Sequence, residues 1–354
     1  MKPVLLDILP GWAQYDKVIY HYDSREESAM KKFNIVDLHC DTLMGCYRGM
    51  PLAKNDGHID LEKLQKGGAL AQFFAIWIPT GPSAERHGVH EGPYPYFQHT
   101  YEAYLREMEL NKAVIAPALC YADIQKNLAE GKISSILTIE DGGSVFEGKM
   151  ERLEEAYQKG VRLITLTWFY ENCIGFPCSK DRPDLMDKGL KPFGIDAVRR
   201  MNELGIVVDV SHLSDGGFWD VVKYSTKPFV ASHSCCRALA GHPRDLSDEM
   251  LRALAEKGGA IGVNFCTNFL VDGGAPMSRI DDVVRHLKHM LDVAGEDAPA
   301  FGSDFDGIDD QLEWKDYAGM PLIVDALGKA GFTERQIDKI CHENALRIVK
   351  EVIG

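Results

Sequence analysis

The sequence lacks the features that would place the protein outside the cell, in a membrane or on nucleic acid. It has no Cys-x-x-Cys motif, and its nine cysteines are an odd number in a chain of 354 residues, which argues against a disulfide framework. No apolar run approaches the roughly 20 residues that a membrane-spanning helix needs, and the N-terminus shows no signal peptide. We therefore expect a cytoplasmic protein with reduced thiols and no membrane span.

Positive charge is also scarce. The chain has 39 Lys and Arg against 53 Asp and Glu, a net charge of −14, and the basic residues form no stripe. Because phosphate backbones are bound by clustered Lys and Arg, we expect no nucleic-acid partner. Hydrophobic residues make up 45% of the chain, which is enough for one large core.

Residues 1–32 lack the pattern that organises the rest of the chain. They show no clear hydrophobic period, and Met30 stands just before the first apolar run, where it would make an ordinary start. We expect residues 1–32 to be an N-terminal extension and residues 33–354 to be a single domain that includes the C-terminal helices.

Eight short apolar runs follow residue 32, and segments with helical spacing separate them. The runs are mostly continuous rather than alternating, as in strands that are covered on both faces. Parallel strands that alternate with helices predict an α/β fold, a (β/α)8 barrel of the TIM type. The runs are Phe33–Leu38, Ala69–Ile78, Ile133–Ile139, Val161–Thr167, Ile206–Val210, Pro228–Ala231, Ala260–Phe265 and Pro299–Gly302.

Three of the intervening segments have clear helical signals. Pro192 opens a segment whose apolar residues lie three and four apart, and Gly205 stands just after its end. Asp248–Lys257 and Ile280–Val293 show the same spacing.

Three further segments are expected at the two ends of the barrel. Pro79–Tyr96 and Glu171–Lys191 contain several Gly and Pro residues, and we expect both to be loops over the barrel mouth that form walls of a substrate site. Thr333–Ile353 is predicted to form two helices that seal the barrel.

Polar side chains collect where the predicted strands end, which is the catalytic face of such barrels. His39 and Asp41 lie two residues apart, so both point to the same face of an extended backbone. Asp37 shares that face and is a candidate hydrogen-bond acceptor for His39, while Cys40 should point away. A purely structural alternative at the last strand end is that Asp304 or Asp306 forms the turn before Gly307. The candidate ligands are His39, Asp41, Glu140, His212, His233 and Asp304.

Such a set of side chains predicts a metal centre. Burying several carboxylates without compensating positive charge is costly, and divalent cations supply that charge. The mixture of nitrogen and oxygen ligands suits zinc or a similar first-row metal. Six ligands exceed the four that one tetrahedral zinc takes, so we expect two metal ions, about 3.5–4 Å apart, that share one carboxylate.

These motifs resemble those of the membrane (renal-type) dipeptidase family of zinc metallopeptidases, in the amidohydrolase superfamily. The resemblance runs from about residue 33 to the C-terminus. It implies a binuclear zinc dipeptidase with a dipeptide as its small-molecule substrate and, by analogy with family members, a homodimer. The motifs are Asp37-Leu-His-Cys-Asp41, Glu140-Asp-Gly142, Asp209-Val-Ser-His212, Ser232-His-Ser234, Arg244-Asp245 and Gly302-Ser-Asp-Phe-Asp-Gly307.

The resemblance also implies a role for each site residue. One zinc would be held by His39, Asp41 and Asp304, the other by His212 and His233, and both would be bridged by Glu140. Arg244 would contact the free carboxylate of the substrate, for which its planar fork is suited; a surface salt bridge with Asp245 is the alternative. A metal-bridging hydroxide would attack the peptide carbonyl, with Asp304 as general base and then general acid.

The sequence departs from the family at two positions. Trp168 stands where the mammalian enzymes carry a His that contacts the reacting centre, and an indole N–H cannot carry a proton. Asn172 or a backbone donor in the following loop would then supply this contact, or the transition state would depend more on zinc. Cys266 stands where an aromatic residue such as Tyr is expected. Both departures bear on the substrate range, including a C-terminal D-residue.

Two other functions remain as alternatives. Another binuclear amidohydrolase would act on a cyclic amide, a lactone or an N-acyl amino acid. Those enzymes often bridge their metals with a carboxylated Lys, whereas Glu140 stands at that position here. The second alternative is a non-catalytic metal-dependent binding protein, against which the six intact ligands argue.

Overall fold

Nine parallel strands alternate with helices in the part of the chain that the computed structural model describes, residues 34–354. The predicted extension, residues 1–32, lies outside these described residues. The strands are β1 Ile35–Cys40, β2 Ala69–Trp77, β3 Ile115–Pro117, β4 Ile133–Glu140, β5 Val161–Thr165, β6 Val207–Asp209, β7 Val230–Ser234, β8 Ala260–Val263 and β9 Pro299–Phe301.

Eight of these strands close into a barrel. β1 pairs with both β2 and β9, β2 pairs with β4, and β4 to β9 pair in sequence order. This closure confirms the predicted (β/α)8 fold. Within residues 34–354 the extra strand β3 pairs only with the start of β4, residues Ile133–Ser135. It was not predicted from the sequence because it has three residues and ends in a proline.

The helices lie between the strands and after the last one. They are α1 Thr42–Tyr47, α2 Leu61–Gly67, α3 Pro82–Arg86, α4 Pro93–Leu110, α5 Tyr121–Ala129, α6 Gly142–Phe146, α7 Met150–Gln158, α8 Pro192–Leu204, α9 Asp215–Tyr224, α10 Arg237–Ala240, α11 Asp248–Glu256, α12 Thr267–Leu270, α13 Ile280–Ala294, α14 Met320–Lys329, α15 Glu334–Asp338 and α16 Asn344–Ile348. Short 3₁₀ helices occur at Pro183–Leu185 and Tyr317–Gly319, and π-helical turns at Lys339–Glu343 and Val349–Ile353.

The three helices with clear sequence signals are confirmed as α8, α11 and α13. Pro192 is the first residue of α8, and Gly205 ends that helix with a φ of +80°, a conformation that glycine adopts without steric cost. Ser247 caps α11 by accepting a hydrogen bond from the N–H of Met250.

The C-terminal segment differs from its prediction as two helices. α15, α16 and the two π-helical turns follow one another without a break, because Lys339 and Asn344 keep right-handed helical backbone angles. The segment still seals the barrel. Its apolar side chains pack in one cluster with residues from the first halves of the strands, among them Val36, Val207 and Val230.

The two predicted mouth loops also differ from each other. Pro79–Tyr96 contains α3 and the start of α4, because Pro82 and Pro93 occupy first-turn helix positions rather than loop positions. Glu171–Lys191 is irregular apart from one short 3₁₀ turn, as expected. None of the helices within residues 34–354 has the length and apolar character that crossing a membrane requires.

Candidate metal centre

Six side chains meet at the end of the barrel where the strands finish. β1 and β7 each carry one of these residues, β4 ends in one, and the others follow β1, β6 and β9 within three residues. Five of the six are buried, and the side chain of Asp304 is 13% exposed. The structure thus brings together all six residues that the sequence predicts as ligands: His39, Asp41, Glu140, His212, His233 and Asp304.

A first donor group surrounds the Nε2 atom of His39. Asp41 Oδ2 lies 3.3 Å from this nitrogen, Glu140 Oε2 lies 3.5 Å from it, and Asp304 Oδ1 lies 3.8 Å from it. The ligand atoms of His39, Asp41 and Asp304 all lie within 4.8 Å of one another, so one nitrogen and two carboxylate oxygens can hold one ion, in the mixture that zinc and similar first-row metals accept.

A second donor group faces the other oxygen of Glu140. The Nε2 atoms of His212 and His233 lie 2.9 and 3.5 Å from Glu140 Oε1, and they are 3.1 Å from each other. The Glu140 carboxylate therefore touches both donor groups, with one oxygen turned toward each.

The chemistry of these atoms fits divalent cations. Carboxylates only accept hydrogen bonds, and a neutral imidazole has a single N–H. The centre thus gathers many acceptors around few protons, an arrangement that is costly unless a cation lies among them. The residues present therefore fit metal ions.

Burial and neighbouring charges shift the pKa values of these groups. Burial raises the pKa of Glu140 to about 8, with repulsion from Asp41 adding to the effect. Burial also lowers the pKa values of His212 and His233 well below their usual range, so both rings are neutral, as metal ligands must be. Burial opposes the charged form of His39, but Asp41 and Glu140 outweigh it and raise its pKa well above the usual range.

The backbone is strained at two of the six residues. His212 has a φ of +67° and Asp304 a φ of +63°, in the left-handed region that non-glycine residues seldom adopt. Such conformations cost on the order of 1–3 kcal/mol each and cluster at functional sites. Both residues lie in the turns just after strands, where the strained backbone directs their side chains into the centre.

Two residues that were not predicted as ligands from the sequence lie against Asp304. Asn264 Nδ2 donates to Asp304 Oδ2 over 2.9 Å, which leaves Oδ1 to face His39. Gly307 lies so close to the centre that a Cβ atom there would overlap Asp41 Oδ2 and come within 2.5 Å of Asp304 Oδ1. The glycine that closes the last sequence motif was a signal for this close approach.

Two other carboxylates near the centre bind backbone and hydroxyl groups instead. Asp37 accepts hydrogen bonds from the N–H and the hydroxyl of Ser303 over 2.8 and 2.6 Å. The prediction that it supports the ring of His39 is wrong, since His39 Nδ1 has no hydrogen-bond partner within residues 34–354. Asp306 accepts a hydrogen bond from the hydroxyl of Thr42 over 2.6 Å, so it fixes the last strand end to the first.

A cavity of about 630 Å³ opens beside the second donor group. Phe169 lines it, with its ring 5.4 Å from the ring of His212. Arg244 lines the cavity as well, and several residues of the Glu171–Lys191 loop complete it, as expected for a wall of the site. Its volume is within the range of small-molecule sites.

Arg244 is held at the edge of this cavity. It is 3% exposed, and its guanidinium donates to the hydroxyl of Ser234 over 2.6 Å and to the carbonyl of His233 over 2.8 Å. Arg244 Nε has no partner within residues 34–354. The alternative prediction, a surface salt bridge with Asp245, is wrong because both residues are buried and no such ion pair occurs in this part of the chain.

Trp168 and Asn172 occupy different surroundings. The ring of Trp168 stacks on Phe169 at 4.2 Å and lies 6.3 Å from His212, so Trp168 belongs to the wall of the centre. The amide of Asn172 fixes its loop to the ends of two strands. Nδ2 donates to Asp141, after β4, and to the Leu166 carbonyl, after β5, and Oδ1 accepts two backbone N–H groups of the loop. With both ends occupied, Asn172 shapes the loop and has no free donor for a substrate.

Comparison with known proteins places the chain among metallopeptidases. A model of the membrane dipeptidase family, peptidase family M19, matches residues 24–353. The chain belongs to the membrane dipeptidase family. The match to this family begins inside the segment that we predicted as an extension.

Relatives of this membrane dipeptidase family member occur in bacteria and fungi. An uncharacterized protein from the pqqA 5′ region of Klebsiella pneumoniae is 37% identical over 238 residues, which are 66% of this chain and 88% of that protein. An uncharacterized dipeptidase of Schizosaccharomyces pombe is 30% identical over 304 residues, 83% of this chain and 72% of that protein.

A solved structure resembles the barrel closely. It is a metallopeptidase from Rhodobacter sphaeroides in complex with a phosphinate mimic of the dipeptide L-Ala-D-Ala, with a TM-score of 0.83 and 26% sequence identity over 91% of this chain and 100% of that chain. Family membership thus makes this chain a metallo-dipeptidase and agrees with the cation that the donor atoms require.

Proposed function

We propose that the protein hydrolyses the peptide bond of dipeptides with two divalent metal ions, zinc first among them, held by the six residues of the centre. The observation that supports this proposal is the position of Glu140, whose two oxygens face two separate donor groups. The two groups give His39, Asp41 and Asp304 to one ion and His212 and His233 to the other. Two such ions, when bound, lower the pKa of a water molecule to about 7 and polarise the peptide carbonyl.

Arg244 anchors the free carboxylate of the dipeptide. Its contacts with Ser234 and with the His233 carbonyl fix the guanidinium, so little side-chain entropy is lost when a carboxylate binds. A planar guanidinium can donate two parallel hydrogen bonds to a carboxylate. Anchoring the carboxylate next to the second donor group restricts substrates to short peptides, because a longer chain would place an amide where Arg244 binds the carboxylate.

The cavity beside Arg244 receives the C-terminal residue of the substrate. Phe169 and Tyr170, 50% and 40% exposed, provide an aromatic wall, and Pro177 and Leu185 add apolar surface. The Rhodobacter sphaeroides metallopeptidase binds a mimic of a dipeptide with a C-terminal D-residue. The size of the cavity here supports the same tolerance, since a cavity of about 630 Å³ leaves room for either configuration at this position.

Asp304 moves the proton of the reaction. Its Oδ1 faces the centre while Asn264 holds its Oδ2, so the carboxylate has a defined orientation. Asp304 accepts a proton from the attacking water and passes it to the leaving amine, as a general base and then a general acid. Asp304 is the most exposed carboxylate of the centre, with 13% of its side chain exposed against 6% for Asp41 and 3% for Glu140.

A panel of substrates tests the proposal. The purified protein, with zinc added, should hydrolyse L-L dipeptides and L-D dipeptides, should lose this activity to a chelator, and should regain it with zinc. A cyclic dipeptide, a lactone and an N-acyl amino acid represent the other amidohydrolase reactions. Turnover of one of these with no dipeptide hydrolysis would replace the dipeptidase function with the alternative.

A second measurement tests Arg244 separately. Substitution Arg244→Gln should raise KM for a dipeptide but not for the corresponding dipeptide amide, which has no carboxylate. Lys180→Gln is the matched control because it removes an exposed positive charge from the same cavity. Equal changes in KM for the dipeptide and its amide would show that Arg244 does not bind the carboxylate.

A further inference from the structure

Within the described residues, only one of the three histidines in the centre makes a hydrogen bond through Nδ1, the ring nitrogen that does not face the donor groups. His233 Nδ1 lies 2.7 Å from the hydroxyl oxygen of Ser232. The Nδ1 atoms of His39 and His212 have no hydrogen-bond partner within residues 34–354. His233 is therefore the only one of the three, within residues 34–354, whose Nδ1 proton can be fixed by a neighbouring side chain.

The contact continues from Ser232 to a buried carboxylate at the end of β6. Ser232 Oγ lies 2.6 Å from Asp209 Oδ2, and the hydroxyl of Thr165 lies 2.5 Å from the same oxygen. Asp209 Oδ1 accepts hydrogen bonds from the backbone N–H groups of Ser232 and Ser211 over 2.8 and 3.0 Å. All four neighbours of Asp209 are donors, as suits a carboxylate that only accepts.

This arrangement fixes the direction of each proton. Because Asp209 accepts, the hydroxyl proton of Ser232 points to Asp209, and the Ser232 oxygen is left as an acceptor for the ring. His233 must then carry its proton on Nδ1, which leaves the lone pair of Nε2 facing Glu140 and His212. That tautomer is the one that can bind a metal ion through Nε2.

We propose that Asp209 and Ser232 are positioning residues that lock His233 in its metal-binding tautomer. The inference rests on the proposed metal centre. The lock matters because His233 cannot turn away: its ring stacks on that of His39 with centroids 3.8 Å apart, and it is fully buried. In the other tautomer its Nε2–H would point toward Glu140 and His212 and occupy the place of the metal ion.

An isosteric change of Asp209 reverses the direction of the hydrogen bonds in the relay, which is the chain of contacts from Asp209 through Ser232 to His233. In Asp209→Asn the amide oxygen must remain with the two backbone N–H groups, since an amide NH₂ there would face two donors. The NH₂ then faces Ser232 and donates to its oxygen, so the Ser232 hydroxyl donates to His233 Nδ1. The proton of His233 moves to Nε2, with almost no change in shape.

The test measures metal binding and the tautomer rather than activity alone. Loss of an outer partner of a metal-binding His lowers metal affinity by about 10–100-fold, and we expect a loss of this size for Asp209→Asn and Ser232→Ala in zinc titrations with a competing chelator. Ser211→Ala is the matched control. It removes a buried hydroxyl that accepts the backbone N–H of His233 over 3.1 Å and lies 3.4 Å from the Ser232 oxygen, but that does not hydrogen-bond to the ring. Asp209 and Ser232 still orient the His233 proton in this variant, so zinc affinity should stay within about threefold of wild type.

¹⁵N spectra of histidine-labelled, metal-free protein report the tautomer directly, with the His233 signal assigned by its loss in His233→Gln. We expect Nδ1–H in the wild type and in Ser211→Ala, Nε2–H in Asp209→Asn, and a mixture in Ser232→Ala. Nε2–H in the wild type, or wild-type zinc affinity in both relay variants, would overturn the inference. Absence of dipeptidase activity or of zinc binding in the wild type would instead reject the proposed function, and the spectra would still decide the tautomer.

Discussion

Replacing Gly307 with alanine tests how tightly the chain is packed around the first donor group. The φ of Gly307 is not in the left-handed region, so alanine is acceptable to the backbone and only the new methyl group matters. A Cβ there would overlap Asp41 Oδ2 and lie 2.5 Å from Asp304 Oδ1, about 0.9 Å closer than ordinary contact. Metal–ligand distances in protein sites lie within about 0.2 Å of their standard values.

Both carboxylates would therefore have to move away from their shared space. We expect Gly307→Ala to lower zinc affinity by at least about 10–100-fold, the range seen when the support of a metal ligand is lost, and to lower the free energy of unfolding by about 1–3 kcal/mol through overpacking. Zinc titration against a chelator and denaturant unfolding of the metal-free protein measure the two effects separately.

Gly328→Ala provides the control for this prediction. Gly328 lies in α14, and the nearest atom to a new Cβ there is Ile337 Cδ1 at 3.9 Å. Alanine in a helix interior is favoured over glycine by roughly 0.5–1 kcal/mol, so this variant should unfold at a slightly higher denaturant concentration and bind zinc normally. Wild-type zinc affinity in Gly307→Ala would show that the carboxylates can shift without loss, which would refute the reasoning from packing.

Two further predictions concern single carboxylates. Asp304→Asn should lower kcat by about 10²–10⁴-fold, the usual contribution of general acid–base catalysis, while much of the bound zinc remains; kcat near the wild-type value would remove Asp304 from this role. Burial raises the pKa of Asp245 to about 7 although Arg244 opposes the shift, so between about pH 4 and pH 7 the folded protein keeps a proton that the unfolded chain releases. The free energy of unfolding of the wild type should therefore fall relative to that of Asp245→Asn as the pH rises through this range, by at most about 1.4 kcal/mol per pH unit. Denaturant unfolding of both proteins at several pH values measures this difference, and a difference that does not change with pH would contradict the prediction.

The strands and the six centre residues could be predicted from the sequence because each has a local signal. Continuous apolar runs mark strands that are covered on both faces, and histidines and carboxylates directly after such runs converge when the barrel closes. Strand β3 has too few residues for such a signal. The C-terminal segment was predicted as two helices although Thr333–Ile353 has no glycine or proline to break a single one, whereas its π-helical turns have no signal in the sequence.

The hydrogen-bond partners of individual polar side chains could not be predicted from the sequence. Asn172 stood in the right loop for a substrate contact, but its amide is occupied by four partners within the protein. Asp37 stood two residues from His39 in the sequence, but its two shortest hydrogen bonds come from Ser303, 266 residues away along the chain, while His39 donates only its backbone N–H over 3.5 Å. Partners so distant in sequence become neighbours only when the barrel closes, so the sequence alone gives no indication of them.

The charge of the centre bears on the number of metal ions. Asp41, Glu140 and Asp304 contribute three negative charges when ionised. His212 and His233 are neutral, and His39 must also be neutral when it binds a metal ion. One divalent ion would leave the centre negative, and it would repel the substrate carboxylate that Arg244 is placed to bind. Two divalent ions make the centre positive, so that it attracts both this carboxylate and the negative charge that develops on the peptide oxygen. A protein with one zinc per chain should therefore bind dipeptides more weakly than one with two, and dipeptide affinity that does not depend on zinc content would argue for a single metal ion.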